Sequence, residues 1–226
     1  MYSVIIPAAG TGARLGLGYN KLFFKIAGRM IIEHTVAIFL NDPKCRQILL
    51  TVNDCDLKQM HNIFDSYHPR ISLVLGGSSR QASIYHALEV VSQDIVLVHD
   101  GARPFIRPDL INKCYEIAEQ GFGAIVAVAS KDTIKQRNSK RQDVVNKTIP
   151  REELVLVQTP QAFPTGILKK ANELAVGAEY SGTDDASLVE KFTDIEIKIV
   201  EGDYNNIKFT TPEDIEYFEI LFKKKT

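Results

Sequence analysis

Arg14 and Lys21 lie in a run of bare backbone, IPAAGTGARLGLGYNK (Ile6–Lys21), which holds four glycines and three alanines. Glycine and alanine let a ligand approach the main chain, and successive N–H groups can bind phosphate oxygens. Two cations behind such a cradle suit a polyphosphate carrying several negative charges. Two familiar phosphate motifs are excluded by spacing. The P-loop pattern fails because the lysine comes three residues after Gly18, with no serine or threonine following it. The dinucleotide fingerprint fails by one residue, since Gly10, Gly12 and Gly16 give G-x-G-x-x-x-G. In LLTVNDCD the acid Asp54 also comes too late to hold a ribose at the end of a second strand.

VHDGARP supplies a carboxylate. Asp100 follows four apolar residues and a histidine, where a buried strand should emerge. A carboxylate facing gathered phosphates needs a bridging cation, and Mg²⁺ bridges them with one or two carboxylates plus phosphate oxygens. Asp100 is therefore the candidate metal ligand. Arg103 could pair with Asp100 or with a phosphate. His99 reads as a packed strand residue, because no second histidine stands at metal-ligand spacing. Gly76, Gly77 and Ser78, with Ser83, form a second small-residue loop that could wrap a nucleobase, with room for a pyrimidine. TDDAS (183–187) reads as a helix N-terminus with Thr183 or Asp184 as cap and acids in the first turn. That reading accounts for both aspartates without a metal.

These residues must be positioned by the elements between them. Short apolar runs alternate with helical periods: YSVIIP, a helix over 30–40, QILLTV, a helix near 57–67, ISLVL, a helix opening at Ser78 or Ser79, DIVLV, a helix after Pro108, and GAIVAVA. The alternation predicts an α/β fold with a mostly parallel sheet and helices on both faces. In such sheets ligands bind beyond the carboxyl ends of the strands. That rule gathers the opening loop, residues 76–83, Asp100 to Arg103, Thr133 and Lys208 at one edge. The rhythm breaks at 131–151, a polar, basic and strand-like stretch with RNSK as a turn signal. It resumes with LVLVQTPQAF, a helix over 167–175, DDASLVEKF, DIEIKIVEG, NIKFTTPED and a helix over 213–222. One domain spanning 1–226 with one excursion is expected.

Composition narrows the class. The 226 residues are 45% hydrophobic and 24% charged, with formal net charge −1. That balance offers no long-range attraction to nucleic acid or a membrane surface. Cys45, Cys55 and Cys114 are odd in number and lack C-x-x-C spacing, as expected of reduced thiols in a cytoplasmic protein. No apolar run reaches the roughly 18 residues of a membrane span, and MYSVIIPAAG lacks the basic start of a targeting peptide.

Seven ordered blocks, PAAGTGARL…NK, GGSSRQAS, VHDGARPF, KDTIK, QTPQAF, TDDASLVE and NIKFTTPED, together resemble the 2-C-methyl-D-erythritol 4-phosphate cytidylyltransferase family of the non-mevalonate isoprenoid pathway. The resemblance implies a Rossmann-like sheet of the nucleotidyltransferase or glycosyltransferase-A kind, CTP as co-substrate and Mg²⁺ as cofactor. It implies that Ala8, Ala9, Gly10 and Gly12, together with Gly77, Ser78, Ser83 and Gly101, bind CTP. Arg14, Lys21 and Lys208 would hold its phosphates, and Asp100 would touch both Mg²⁺ and the sugar phosphate. Arg103, Thr133, Arg151, Thr159 and Thr183 would form the sugar-phosphate site. The basic excursion, about 133–154, matches a β-arm that clasps a second subunit, so Arg151 would act in the partner's site and KQRNSKR would not bind nucleic acid. Relative to the family pattern, Asn20 replaces a frequent proline, Leu15 a methionine, Ser78 an acid, Pro150 an acid and Val155 a tryptophan.

The chemistry so implied is CMP transfer by in-line attack of the substrate phosphate. The alternative from the same resemblance is a ribitol-5-phosphate cytidylyltransferase of wall teichoic acid synthesis, whose members typically read HDSVRP and TDAC where this chain reads HDGARP and TDDAS. Further away stand a nucleotide-binding regulator and an NAD-type oxidoreductase, the latter disfavoured by the missing ribose acid.

Overall fold

The computed structural model describes residues 1–10, 18–64 and 69–225; Gly12 and Arg14 lie outside them. Strand β1 (Tyr2–Pro7) is buried on both faces, as a run without polar alternation must be. Its side chains split by parity: Tyr2, Val4 and Ile6 enter one core cluster and Ile5 the other. Strands β4 (Cys45–Val52) and β6 (Ile95–Val98) divide the same way. A minor hairpin of β2 (Lys25–Ile26) and β3 (Arg29–Met30) precedes the first helix, α1 (Ile31–Leu40).

The first cluster lies under α1, α2 (Asp54–Phe64), α4 (Pro108–Glu119) and α7 (Asp214–Lys225). The second lies under α3 (Arg80–Leu88), α5 (Thr165–Gly177) and α6 (Asp185–Phe192). With β5 (Ile71–Leu75), β7 (Gly123–Ala129), β10 (Val155–Pro164) and β11 (Ile197–Glu201), the strands form a seven-stranded sheet, ordered β11-β7-β10-β6-β1-β4-β5. All pairings are parallel except those of β10, which runs antiparallel to β6 and β7. The expected mostly parallel α/β sheet is therefore present.

The topology fixes where a ligand can sit. From β1 the chain proceeds outward to β4 and β5, then returns to place β6 on the other side of β1. The carboxyl ends of β1 and β6 thus flank a switch point, the place where open sheets bind ligands. The first delivers Ala8 to Gly10 and the second delivers His99 and Asp100.

The excursion is a ribbon apart from the main sheet, β8 (Ile134–Arg137) paired antiparallel with β9 (Val145–Ile149). Asn138 makes the turn, its Oδ1 accepting the N–H groups of Lys140 and Arg141 at 3.0 and 3.1 Å. Most of the ribbon is exposed. Helix α2 begins three residues earlier than expected, with Asp54 and Asp56 in its first turn where the helix dipole favours them. The segment NIKFTTPED forms no strand. Its Asp214 instead accepts the N–H groups of Thr210 and Thr211 at 2.6 and 2.8 Å and opens α7.

Candidate active site

At the switch point lies a cleft of about 670 Å³. Ala9, Gly10, Lys21, Gly77, Ser78, Ser83, Asp100, Gly101 and Lys208 line it, so residues from four separate sequence blocks meet as expected. Ala8 lies beneath it, buried, with its N–H donated to the Thr51 carbonyl at 2.9 Å.

The second small-residue loop is built by exclusion and capping. A Cβ on Gly77 would stand 2.5 Å from the Cβ of Ala82, and one on Gly76 would stand 2.8 Å from that of Ala9. Only glycine lets this loop lie flat against both the helix and the end of β1. Ser79, not Ser78, caps α3 by accepting the Ala82 N–H at 3.0 Å. The Ser83 hydroxyl is buried; it accepts the Gly77 N–H at 3.0 Å and donates to the Ser79 carbonyl at 2.8 Å. It shapes the loop, while Ser78 beside it is exposed at the cleft.

Asp100 is the electrostatic centre. Its Oδ2 receives Lys208 Nζ at 2.9 Å and Arg103 Nε at 3.1 Å, and Arg80 Nε stands 4.0 Å from Oδ1. Burial by itself would push this carboxyl up, but Lys208, then Arg80 and Arg103, outweigh it and hold Asp100 well below the usual carboxylate range. Lys208 reaches this position because Phe209, fully buried, donates its N–H to the Ala102 carbonyl at 2.9 Å. Of the two roles open to Arg103, the fold shows pairing with Asp100, and its Nη1 also donates to the Asn206 carbonyl at 2.7 Å.

Two residues of this centre escape the sequence reading. Arg80 lines the cleft and donates to Asp185 Oδ2 at 2.8 Å. In TDDAS, the capping role belongs to Asp184 alone, whose Oδ1 accepts the Ser187 N–H at 2.9 Å. Asp185 is instead buried against Arg80, and burial pushes its carboxyl up even with that cation beside it. A cation at the first position of a helix opposes the dipole. That is the sequence signal that Arg80 serves something other than its own helix. Lys21, Lys208, Arg80 and Arg103 against Asp100 and Asp185 leave the cleft floor with excess positive charge, which suits a polyanion.

Thr159 and His99 hold the Asp100 turn from below. Thr159 Oγ1 accepts the Asp100 N–H at 3.0 Å and lies 3.0 Å from His99 Nδ1. The Arg103 carbonyl, 3.1 Å from His99 Nε2, can only accept, so in the neutral ring Nε2 carries the proton and Thr159 donates its own to Nδ1. Burial lowers the imidazole to about 4, consistent with a neutral ring whose nitrogens are both engaged. We predict that His99→Phe, which keeps the ring packed against Phe39, lowers unfolding free energy by about 2–4 kcal/mol, because a buried hydroxyl and a buried carbonyl lose partners. Urea denaturation checks this, and a loss below ~0.5 kcal/mol would refute the hydrogen-bond chain.

The remaining expected residues stand apart. Thr133 and Arg151 are exposed at the two feet of the ribbon, where Arg151 Nη1 donates to the Lys131 carbonyl at 3.0 Å. Thr183 is exposed just before α6. None of these three lines the cleft. Among the described residues, no group of three or more His, Cys, Asp or Glu side chains could hold a metal ion. No helix among them is long and apolar enough to cross a membrane.

Comparison with known proteins bears on this cleft. The family profile of 2-C-methyl-D-erythritol 4-phosphate cytidylyltransferase (IspD) matches residues 2–224. A protein of that name from Bacillus velezensis is 42% identical, covering 100% of this chain and 97% of its own length. One from Bacillus pumilus is 44% identical, covering 95% and 93%. Among solved structures, the 4-diphosphocytidyl-2C-methyl-D-erythritol synthase of Anaerococcus prevotii superposes with a TM-score of 0.88 at 30% identity, covering 99% of this chain and 96% of that one. The 2-C-methyl-D-erythritol 4-phosphate cytidylyltransferase of Thermus thermophilus does so with a TM-score of 0.78 at 31% identity, covering 98% of each. The chain belongs to the 2-C-methyl-D-erythritol 4-phosphate cytidylyltransferase family.

Proposed function

We propose that the chain transfers CMP from CTP to 2-C-methyl-D-erythritol 4-phosphate, releasing pyrophosphate, and that it does so in the cytoplasm as a homodimer. The observation that carries this reading is the convergence of Lys21, Lys208 and Arg80 on one cleft floored by β1 and β6, in a chain of this family. The ribitol 5-phosphate alternative is not favoured by the relatives.

The chemistry asks little of acids and bases. A phosphate monoester has a second pKa of about 6 and is mostly a dianion at neutral pH. One of its oxygens attacks the α-phosphorus of CTP as the bond to the pyrophosphate oxygen breaks in line, and the electron pair leaves with pyrophosphate. The barrier lies in bringing like charges together, so positioning and electrostatic stabilisation carry the catalysis. Lys21 and Lys208 neutralise the nucleotide phosphates; Arg14, outside the described residues, takes the same role from the opening loop. Gly77 and its neighbours hold the base by their main chain. His99 cannot serve as a base, since both its nitrogens are engaged.

Asp100 fits a divalent cation. Its Oδ2 is occupied by two side-chain cations, while among the described residues Oδ1 has only Arg80, at 4.0 Å. A single hard carboxylate oxygen, with water and phosphate oxygens completing the shell, is the donor set Mg²⁺ accepts. When bound there, Mg²⁺ would draw negative charge from the nucleotide phosphates.

The dimer reading is supported by the exposed ribbon and by Val155, Leu156 and Val157 beside it, all more than a third exposed on the outer half of β10. Apolar side chains left exposed on both faces of a strand end in this way suit burial against a second copy. Thr133 and Arg151, with Arg103 and Thr183, are assigned to the sugar-phosphate side, Arg151 reaching the site of the partner; Thr159, its hydroxyl engaged by Asp100 and His99, serves that side through the Asp100 turn that it holds. The direct test is pyrophosphate release with CTP and Mg²⁺, comparing methylerythritol 4-phosphate with ribitol 5-phosphate. Release with the branched tetritol alone is expected; release with ribitol phosphate instead would move the chain to the other substrate.

A further inference from the structure

Asn20 is buried in the lining of the cleft, 4% exposed, and the chemistry above makes no use of it. Its side chain ties together three elements. Nδ2 donates to the Ala8 carbonyl at the end of β1, at 2.8 Å, and to Asp56 Oδ2 in the first turn of α2, at 2.9 Å. Oδ1 accepts the Leu22 N–H at 3.1 Å and so caps the 3₁₀ turn Lys21–Phe23. An amide can fill two donor and one acceptor roles at once; a carboxylate of the same shape can fill only the last.

The neighbouring main-chain group is held in the same way. Asn53 Nδ2 donates to the Ala9 carbonyl, and the Asn53 carbonyl accepts the Asp56 N–H at 3.0 Å. The first two carbonyls after β1 are therefore each fixed by an amide, and both amides are anchored to the start of α2. One of these amides belongs to the residue immediately before Lys21. The chain leaves the sheet at Ala8 and is brought back to that same carbonyl at Asn20, so the start of the Lys21 stem is registered against β1. The other end of that stem is registered too, because Lys21 Nζ donates to the Phe209 carbonyl at 2.5 Å, next to Lys208. A long cationic side chain aims its charge reproducibly only where its backbone origin is fixed, and a misplacement of about 1 Å can remove up to a hundredfold in rate.

We infer that Asn20 is a positioning residue that acts through Lys21, holding the lysine's turn against the end of β1 so that its ammonium meets the nucleotide phosphates. This rests on the CTP reading. The test compares wild type, Asn20→Asp, Asn20→Ala, Lys21→Ala and the double variant Asn20→Ala/Lys21→Ala in the full chain. The readouts are kcat/KM for CTP, KM for methylerythritol 4-phosphate and the thermal midpoint. Asn20→Asp keeps the cap on Leu22 and loses both Nδ2 bonds; Asn20→Ala buries no new charge.

Both are expected to lower kcat/KM for CTP on the order of tenfold or more, with KM for the sugar phosphate within about twofold. In the Lys21→Ala background, Asn20→Ala should add less than about twofold, because residues acting as one unit are not additive. An undiminished effect in that background would overturn the inference, as would parallel losses toward both substrates tracking a lowered midpoint. A wild-type chain that does not turn over CTP overturns the reading and this inference together; wild-type turnover with unaltered Asn20 variants overturns the inference alone.

Discussion

Lys21→Ala is expected to turn over CTP about 10²–10³ times more slowly than wild type while remaining folded. The magnitude is that of deleting one prepositioned donor from a charge-stabilising site, about 2.7–4 kcal/mol of barrier. The fold should survive because the turn that carries Lys21 is held by groups other than its ammonium. Asn20 caps it, Phe23 donates its N–H to the Asn20 carbonyl at 3.0 Å, and Leu22 and Phe23 are buried. The ammonium contributes a hydrogen bond to the Phe209 carbonyl, but Phe209 keeps its own anchors, the Ala102 carbonyl and the ring of Phe24 at 5.4 Å. The loss should therefore fall on kcat/KM for CTP and leave the thermal midpoint within a few degrees. Near-normal turnover would remove Lys21 from the mechanism. A large fall in midpoint would show instead that its contact with Phe209 is structural.

The reason such a role could be read from sequence is that strand ends are legible. A short unbroken apolar run bounded by turn residues, such as VIIP or IVLV, reads as a strand buried on both faces, and in a parallel sheet the residues after it lie at one edge. That logic brings the opening loop, Gly77 and Asp100 to one cleft; Lys208 joins them from a segment that forms no strand, placed by the bond of Phe209 to Ala102. What stayed illegible is whatever depends on direction or pairing. The β10 strand runs opposite to its neighbours, and along it the apolar residues 155–157 are exposed while the polar Gln161 is buried with Ala162 and Phe163. Asp184 and Asp185 are adjacent and chemically identical, yet one caps a helix and the other is buried against an arginine from α3. Asn20 and Asn53 read as ordinary loop residues, because the carbonyls they hold belong to another stretch of chain. Tertiary partners, not local spacing, decide each of these.

Mixing two inactive chains, Lys21→Ala and Arg151→Ala, is expected to restore activity. Arg151 and Thr133 sit at the feet of the ribbon formed by β8 and β9, and neither lines the cleft of its own chain. The ribbon is exposed along most of its length, and Arg151 is held in place by the Lys131 carbonyl and by Glu152 at 3.5 Å. A basic arm that reaches across a two-fold axis would bring each Arg151 to the other subunit's site, and the symmetry of the contact makes the exchange mutual. In a hybrid dimer one site then carries both lesions and the other carries none. Random reassortment of equal amounts makes about half the dimers hybrids, so about a quarter of all sites should be intact. Recovery to roughly that fraction of wild-type turnover, against a background lowered about 10²-fold or more in each parent, is a large and unambiguous signal. It requires no assumption about the pose of the arginine. Hybrids demonstrated by differential tagging that stay inactive would place Arg151 in its own subunit's chemistry. Chains that remain monomeric at assay concentration would leave the patch at Val155, Leu156 and Val157 without a second copy to cover it, and the dimer reading would fall with it.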